Sequence, residues 1–212
     1  MTVPLLLADD YYLIAHDDVT GASRCGEGRA GLGLAGALLG ELVLFGAIDI
    51  DRRNIVILDA PAPGDPLARA LLEELVRNDD VTSVPDWLQY LGQRAHKQVV
   101  QRLLHAGHVR ATEVRRLLQT RTVYVPTDMN VAAWSAARLA NALSKDEALS
   151  VPDTVLSGLV VATELEMEVF QYASPDVGRH LRRLLAGLPP ALRALLSETE
   201  AAVGDAVLRH RR

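Results

Sequence analysis

The stretch from Ala30 to Phe45, AGLGLAGALLGELVLF, constrains this chain more than any other, because Glu41 is its only ionisable side chain. Read as a helix, it is apolar on nearly every face, the pattern of a rod surrounded by other elements rather than one lying on a surface. Its glycines, Gly31, Gly33, Gly36 and Gly40, each cost about 0.5–1 kcal/mol in helix propensity. Close approach of neighbouring helices compensates that cost, since absent side chains let backbones pack and gain dispersion contacts. At 16 residues the run is shorter than the roughly 20 needed to cross a bilayer core, and Glu41 lies inside it. The expectation is a buried core helix.

The rest of the chain can sheathe such a rod. Of 212 residues, 49% are hydrophobic but only 4% aromatic, so the core is aliphatic and favours helix packed on helix. Disorder is excluded, and no linker or shift of composition divides the sequence. The reading is mainly α: one globular helical domain over residues 1–212, built around a buried central helix group with two β-hairpins. One cysteine, Cys25, rules out an intrachain disulfide frame and fits a reducing compartment. The opening MTVPLLLADDYYLIAHDD lacks the basic start and long apolar run of a signal peptide, so a cytoplasmic setting is expected.

Local signals place the elements. Leu5 to Asp18 reads as a helical turn or two, then a short strand YLIAH, ending in the turn DDVTGA. Ser23 to Arg29 reads as a mobile polar connector. Gly46 stops the central helix, and AIDID and NIVIL flank a turn at Arg52 to Asn54, a hairpin signal. Leu67 to Arg77 is an amphipathic helix capped by Asp65-Pro66. Val84 to Leu91 and Gln93 to His105 are further helices, the latter closed by Gly107. A second hairpin is expected at Val114–Leu118 and Thr122–Val125, followed by helices Val131–Ser144, Val151–Ala173, Arg179–Leu185 and Pro190–Leu208. ELVLFGAI (Glu41–Ile48) and RLLHAGHV (Arg102–Val109) echo one another faintly, each a helix end, a glycine and a β run, over too few residues to establish duplication.

Charge is unevenly spread. The chain carries −5 overall, yet Gln93 to Arg121 holds Arg94, Lys97, Arg102, Arg110, Arg115, Arg116 and Arg121 against the single acid Glu113, a local +6. Such a face would attract phosphate groups or an anionic bilayer. The competing reading is a solvated basic face paired with acids of Asp79-Asp80 or Asp146-Glu147.

Catalytic chemistry is not indicated. In sequence, His96, His105 and His108 stand among arginines rather than carboxylates, so no metal site is expected. Cys25 beside Arg24 lacks the signature of a reactive thiol. The glycines from Gly26 to Gly36 lack the Lys-Ser/Thr pair of a phosphate loop. Glu164, Glu166 and Glu168, spaced by two on a helix, point in different directions. No cofactor and no enzymatic activity are expected.

Several segments in order, LLLADDYYLIAHDD, GLAGALLGELVLFGAI, DAPAPGDPLARALLEEL, DWLQYL, QRLLHAGHVRATE and LVVATELEMEVF, resemble the Golgi phosphoprotein 3 family of peripheral membrane proteins, in the form of a bacterial member. The resemblance runs from about Leu5 to Leu208. It implies a mostly helical domain with a buried central helix group and recognition of phosphatidylinositol 4-phosphate headgroups; in eukaryotes it also implies retention of glycosyltransferases in the Golgi. It further implies a headgroup pocket of a tryptophan and an arginine near the start of the buried helix, and two arginines on a later helix. Those positions fall here at Gly26, Ala35, Gln93 and His96. Arg94 and Lys97 lie one residue beyond, about 100° around a helix, and Arg24 or Arg29 could reach in from the connector. The family's second hairpin, here Val109 to Val125, is associated with self-association; Arg115, Arg116 and Arg121 in it make a dry homomeric interface costly unless acids oppose them.

The sequence thus points to a non-enzymatic protein, peripheral to a membrane, that binds anionic phospholipid headgroups through Arg24, Arg29, Gln93, Arg94, His96 and Lys97. A protein client and a homo-oligomer are secondary expectations. A winged-helix-like DNA-binding protein is one alternative, from the helix–glycine–hairpin order, although the acidic total and the absence of an exposed recognition helix weigh against nucleic acid. A protein-scaffolding module is another.

Overall fold

The expectation that the glycine-rich rod is enclosed is met from Ala30 to Leu42, while Val43 and Leu44 are half-buried and Phe45 is exposed. In the computed structural model, which describes residues 5–116, 119–170 and 175–210, every residue from Ala30 to Leu42 is buried. Ten helices and two antiparallel hairpins occur among the described residues. α1 (Leu7–Ala15), α4 (Val84–Gly92), α5 (Ala95–His105), α7 (Val151–Ala162) and α10 (Pro190–His210) all pack against α2 (Glu27–Leu44). The glycines create those contacts. A Cβ on Gly31 would stand 2.2 Å from the Gly92 carbonyl oxygen of α4, and one on Gly33 would stand 2.0 Å from the Tyr11 hydroxyl of α1, distances that no packed side chain tolerates.

α2 and α5 end alike. Gly46 (φ 69°) and Gly107 (φ 75°) adopt the left-handed conformation. The next amides, Ala47 and His108, reach back to Leu42 O and Leu103 O, both at 2.9 Å, which closes each helix in a Schellman motif. A hairpin follows each: β1 (Ile48–Asp51) with β2 (Asn54–Ile57), and β3 (Val109–Arg116) with β4 (Gln119–Pro126). The two-residue turn of the first hairpin places Arg52 (φ 45°) and Arg53 (φ 71°) in left-handed backbone. The second hairpin is longer than its local β signal, with Val109 opposite Pro126.

α3 (Pro66–Arg77) starts as its sequence predicts, the Asp65 carboxylate accepting from the Ala68 amide at 2.8 Å. α6 (Met129–Ser144), α8 (Glu166–Val169) and α9 (Pro175–Ala186) complete the fold. α6 is capped by Asp128, while α4 and α7 are capped by Ser83 and Ser150.

Three expectations are corrected. YLIAH is no strand: α1 runs to Ala15 with all nine residues buried, because burial on all sides outweighs the β propensity of isolated Tyr and Ile residues. The polar connector is shorter and hydrogen-bonded: α2 already begins at Glu27, and His16 pairs with Ser23 in a β-bridge. The Asp17 carboxylate in the same turn accepts from the Val19 and Thr20 amides. The helix expected from Val151 to Ala173 stops at Ala162, with Glu164 (φ 59°) left-handed and the Leu165 amide bonded back to Val160 O; residues 171–173 lie outside the described residues.

Two buried ion clusters fasten α1 to the body. Asp9 accepts from Arg102 Nε at 2.9 Å, while its neighbour Asp10 accepts from Arg138 Nη2 at 2.7 Å and from Ser135 Oγ at 2.6 Å. One dipeptide thereby joins α5 to α6.

Candidate functional site

α5 divides the sequence-nominated residues between two places. Its buried stripe, Ala95, Val99, Val100 and Leu103, seats it on the core and leaves two flanks. On one flank Arg94, Lys97, Gln101 and His105, with Gln93, line a groove of about 830 Å³ closed on its far side by Asp65 and Pro66 at the start of α3. His96 turns to the other flank, toward α1.

Within the groove, Lys97 is exposed and forms no ion pair among the described residues. Arg94 is already engaged: its Nη1 lies 2.9 Å from Glu74 Oε1, and it also contacts the Tyr90 hydroxyl, which itself donates to Glu74. Although burial opposes it, hydrogen bonds from Tyr90 and Arg94 hold the Glu74 carboxyl below its ordinary range. Arg102 forms the groove floor. It meets Glu41 through two nitrogens at 2.8 Å each, and lies 2.9 Å from Asp9 and 3.2 Å from Asp65. Burial pushes the Asp9 and Glu41 carboxyls above their ordinary range despite the neighbouring guanidinium.

Of the seven basic residues in the +6 segment, Arg94 and Arg102 are therefore not free cations, whereas Lys97 and Arg110 are exposed. Arg94 and Arg102 are neutralised by carboxylates from α1, α2, α3 and the loop before α3, not by the Asp79-Asp80 or Asp146-Glu147 pairs that sequence proximity suggested. Asp146 instead pairs with His180 and Arg183. The side chains of Arg115, Arg116 and Arg121 lie outside the described residues. A second concavity, about 800 Å³ between α6 and α9, also carries arginines, of which Arg179 and Arg183 are paired with Asp176 and Asp146.

Arg24 and Arg29 do not line the α5 groove. Arg24 spans Asp17 and Asp18 at 3.6 and 3.7 Å and donates to His16 O at 3.2 Å. Arg29 lies within α2, donating to Cys25 O at 2.6 Å and pairing with Glu164. Ala35, where the family resemblance places an arginine, is fully buried, so in this chain that position is closed to a ligand. Cys25 is buried as well, and burial pushes its thiol above the usual value, in keeping with an unreactive side chain.

The histidines are not arranged as their sequence neighbourhood suggested. His105 is exposed in the groove and His108 is buried. His96 lies instead beside His16, their ring centroids 5.2 Å apart, with Glu27 completing the group: one ligand-type atom from each falls within 4.8 Å of the others. His16 is only 3% exposed, its ring stacks on Tyr12 at 4.1 Å, and its Nδ1 lies 2.9 Å from Tyr12 O. Burial pushes its imidazole down to about 4. No local signal links His16, Glu27 and His96, since each comes from a different helix or its end.

No described helix is long and apolar enough to cross a membrane. No curated protein matches the chain significantly. The profile of the Golgi phosphoprotein 3 (GPP34) family matches residues 7–199, a span that takes in α1, the enclosed α2, both hairpins and the α5 groove. Sequence order, fold and profile agree, and the chain belongs to the Golgi phosphoprotein 3 family.

Proposed function

We infer that the protein is a non-enzymatic peripheral membrane protein that receives an anionic phospholipid headgroup in the α5 groove, with phosphatidylinositol 4-phosphate the headgroup suggested by its family. The observation that carries this reading is the groove flank itself. Arg94, Lys97, Gln101 and His105 follow one another at three and four residues, so donors and positive charge face one opening. A phosphate offers several acceptor oxygens, and the Lys97 ammonium can meet them as a point charge while the Gln93 and Gln101 amides supply neutral donors. Arg94 joins by leaving Glu74, an exchange of one oxyanion for another. The groove's acid, Asp65, is held by Arg102 and by the Ala68 amide, which limits its repulsion of the ligand.

The test is vesicle flotation of the full chain. Neutral phosphatidylcholine vesicles are compared with vesicles that also carry phosphatidylinositol 4-phosphate or phosphatidylglycerol. Binding to the anionic vesicles that weakens with salt, and is lost in Arg94→Ala/Lys97→Ala, supports the reading. Unchanged binding by that variant refutes it, and duplex DNA binding with the steeper salt dependence would transfer the function to nucleic acid.

A further inference from the structure

We propose that His16, Glu27 and His96 form a site for one divalent transition-metal ion of the zinc type, joining the end of α1, the start of α2 and the first turn of α5. Three observations converge. The three side chains bring their ligand-type atoms within 4.8 Å of one another. A closed tetrahedral site, with bonds of about 2.0–2.1 Å, needs separations of roughly 3.3 Å. The remaining closure falls to Glu27, exposed on the first turn of α2, and to half-buried His96; His16 is already fixed.

The second observation is the state of His16. A carbonyl only accepts, so the 2.9 Å contact with Tyr12 O requires Nδ1 to carry the proton, and the lone pair then belongs to Nε2. That atom is buried with no hydrogen-bond partner. An imidazole bonded through one nitrogen to a backbone carbonyl, with the other left unpartnered on a ring beside Glu27 and His96, has the outer-shell arrangement typical of metal-ligating histidines. Leaving such an acceptor buried and unsatisfied is unfavourable, and a metal bond removes that cost.

The third observation is the donor set. Two imidazole nitrogens and one carboxylate oxygen suit zinc, cobalt or nickel, whereas calcium and magnesium favour oxygen ligands. Tyr12 stacks on His16 and lies 5.6 Å from His96, ring centre to ring centre, which limits the rotation of both rings. Arg24 is the nearby cation opposing a metal ion, and Asp17 and Asp18 hold its guanidinium.

The experiment uses full-length, tag-free protein stripped by chelation and titrated with Zn²⁺, with Co²⁺ as a spectroscopic probe. The expected result is one ion bound per chain, visible Co²⁺ absorption of a four- or five-coordinate site, and a rise in thermal midpoint that Mg²⁺ and Ca²⁺ do not reproduce. Glu27→Ala and His96→Ala alter side chains that are not part of the core, and each should weaken binding by more than about tenfold. Absence of binding overturns the proposal, as does binding that survives both substitutions. Neither result touches the headgroup reading, whose variants lie on the other flank of α5.

Discussion

Arg102 of α5 and Glu41 of α2 face each other as a two-pronged pair, Nη1 to Oε2 and Nη2 to Oε1, both at 2.8 Å. Glu41 is 2% exposed, and its Oε1 also accepts from the Ala8 amide at 2.8 Å. These two residues open the echoed segments Glu41–Ile48 and Arg102–Val109, so the two helix–glycine–hairpin units are joined through their equivalent first positions.

Removing Arg102 should expose what this pair offsets. Arg102→Leu would leave Asp9, Glu41 and Asp65 together without their cation, and loss of one partner from a buried ion cluster costs about 3–5 kcal/mol. The pH dependence follows from the carboxyls. Burial already raises Asp9 and Glu41, and removing the guanidinium removes a lowering influence. A carboxyl raised in the folded state binds more protons there than in the unfolded chain between the ordinary and the raised value, so stability falls as pH increases through that window. Urea unfolding of the variant should therefore show greater stability near pH 5 than near pH 7. A variant equally stable at both would contradict the stated balance.

Gly31 should not accept a methyl group. Its Cβ would lie 2.2 Å from the backbone oxygen of Gly92, and neither backbone can rotate aside as a side chain would. Gly31→Ala should lose about 1–3 kcal/mol through overpacking, although alanine is the better helix former. A gain in thermal midpoint would show that the α2–α4 contact is looser than described.

The first hairpin offers the opposite case. Arg52 and Arg53 both occupy left-handed backbone in a two-residue turn, where Asn-Gly is favoured. Arg53 pairs with Glu198 at 2.8 Å; its own side chain is 67% exposed but that of Glu198 only 13%, so loss of the pair offsets part of the gain from the turn. Arg52→Asn/Arg53→Gly should raise stability by up to about 1 kcal/mol, read as a higher denaturation midpoint with an unchanged slope.

Glu74 should act as an internal competitor for the ligand of the groove. It holds Arg94 at 2.9 Å, so Glu74→Gln would release that guanidinium without emptying the site. One basic group freed near an anionic membrane is worth about 1 kcal/mol. Vesicle affinity should then increase roughly fivefold at low salt, and the gain should shrink as salt rises. Weaker binding by this variant would mean that Glu74 orients Arg94 for the headgroup rather than withholding it.

Much of the fold was legible because its determinants are local. The enclosure of α2 follows from sixteen residues with one charge, and Asp65, Gly46 and Gly107 mark helix ends by side-chain chemistry or backbone freedom alone. The break after Ala162 was not legible, since Glu164 carries no residue-type signal for the left-handed conformation it adopts. The two sites were legible only in part. Arg94 and Lys97 are neighbours in sequence and share the groove, whereas His16, Glu27 and His96 meet only after α1, α2 and α5 have packed.

By itself the sequence determined a helical body around an aliphatic, glycine-notched rod, because hydrophobic periodicity and caps act over one or two turns. Which charges remain available was decided by tertiary structure. The carboxylates that occupy Arg102 lie 93, 61 and 37 residues away along the chain, and the strength of a charge interaction depends on distance in space and on the water excluded between the partners. Composition can record a surplus of arginine, but only packing assigns each guanidinium to a carboxylate or to solvent.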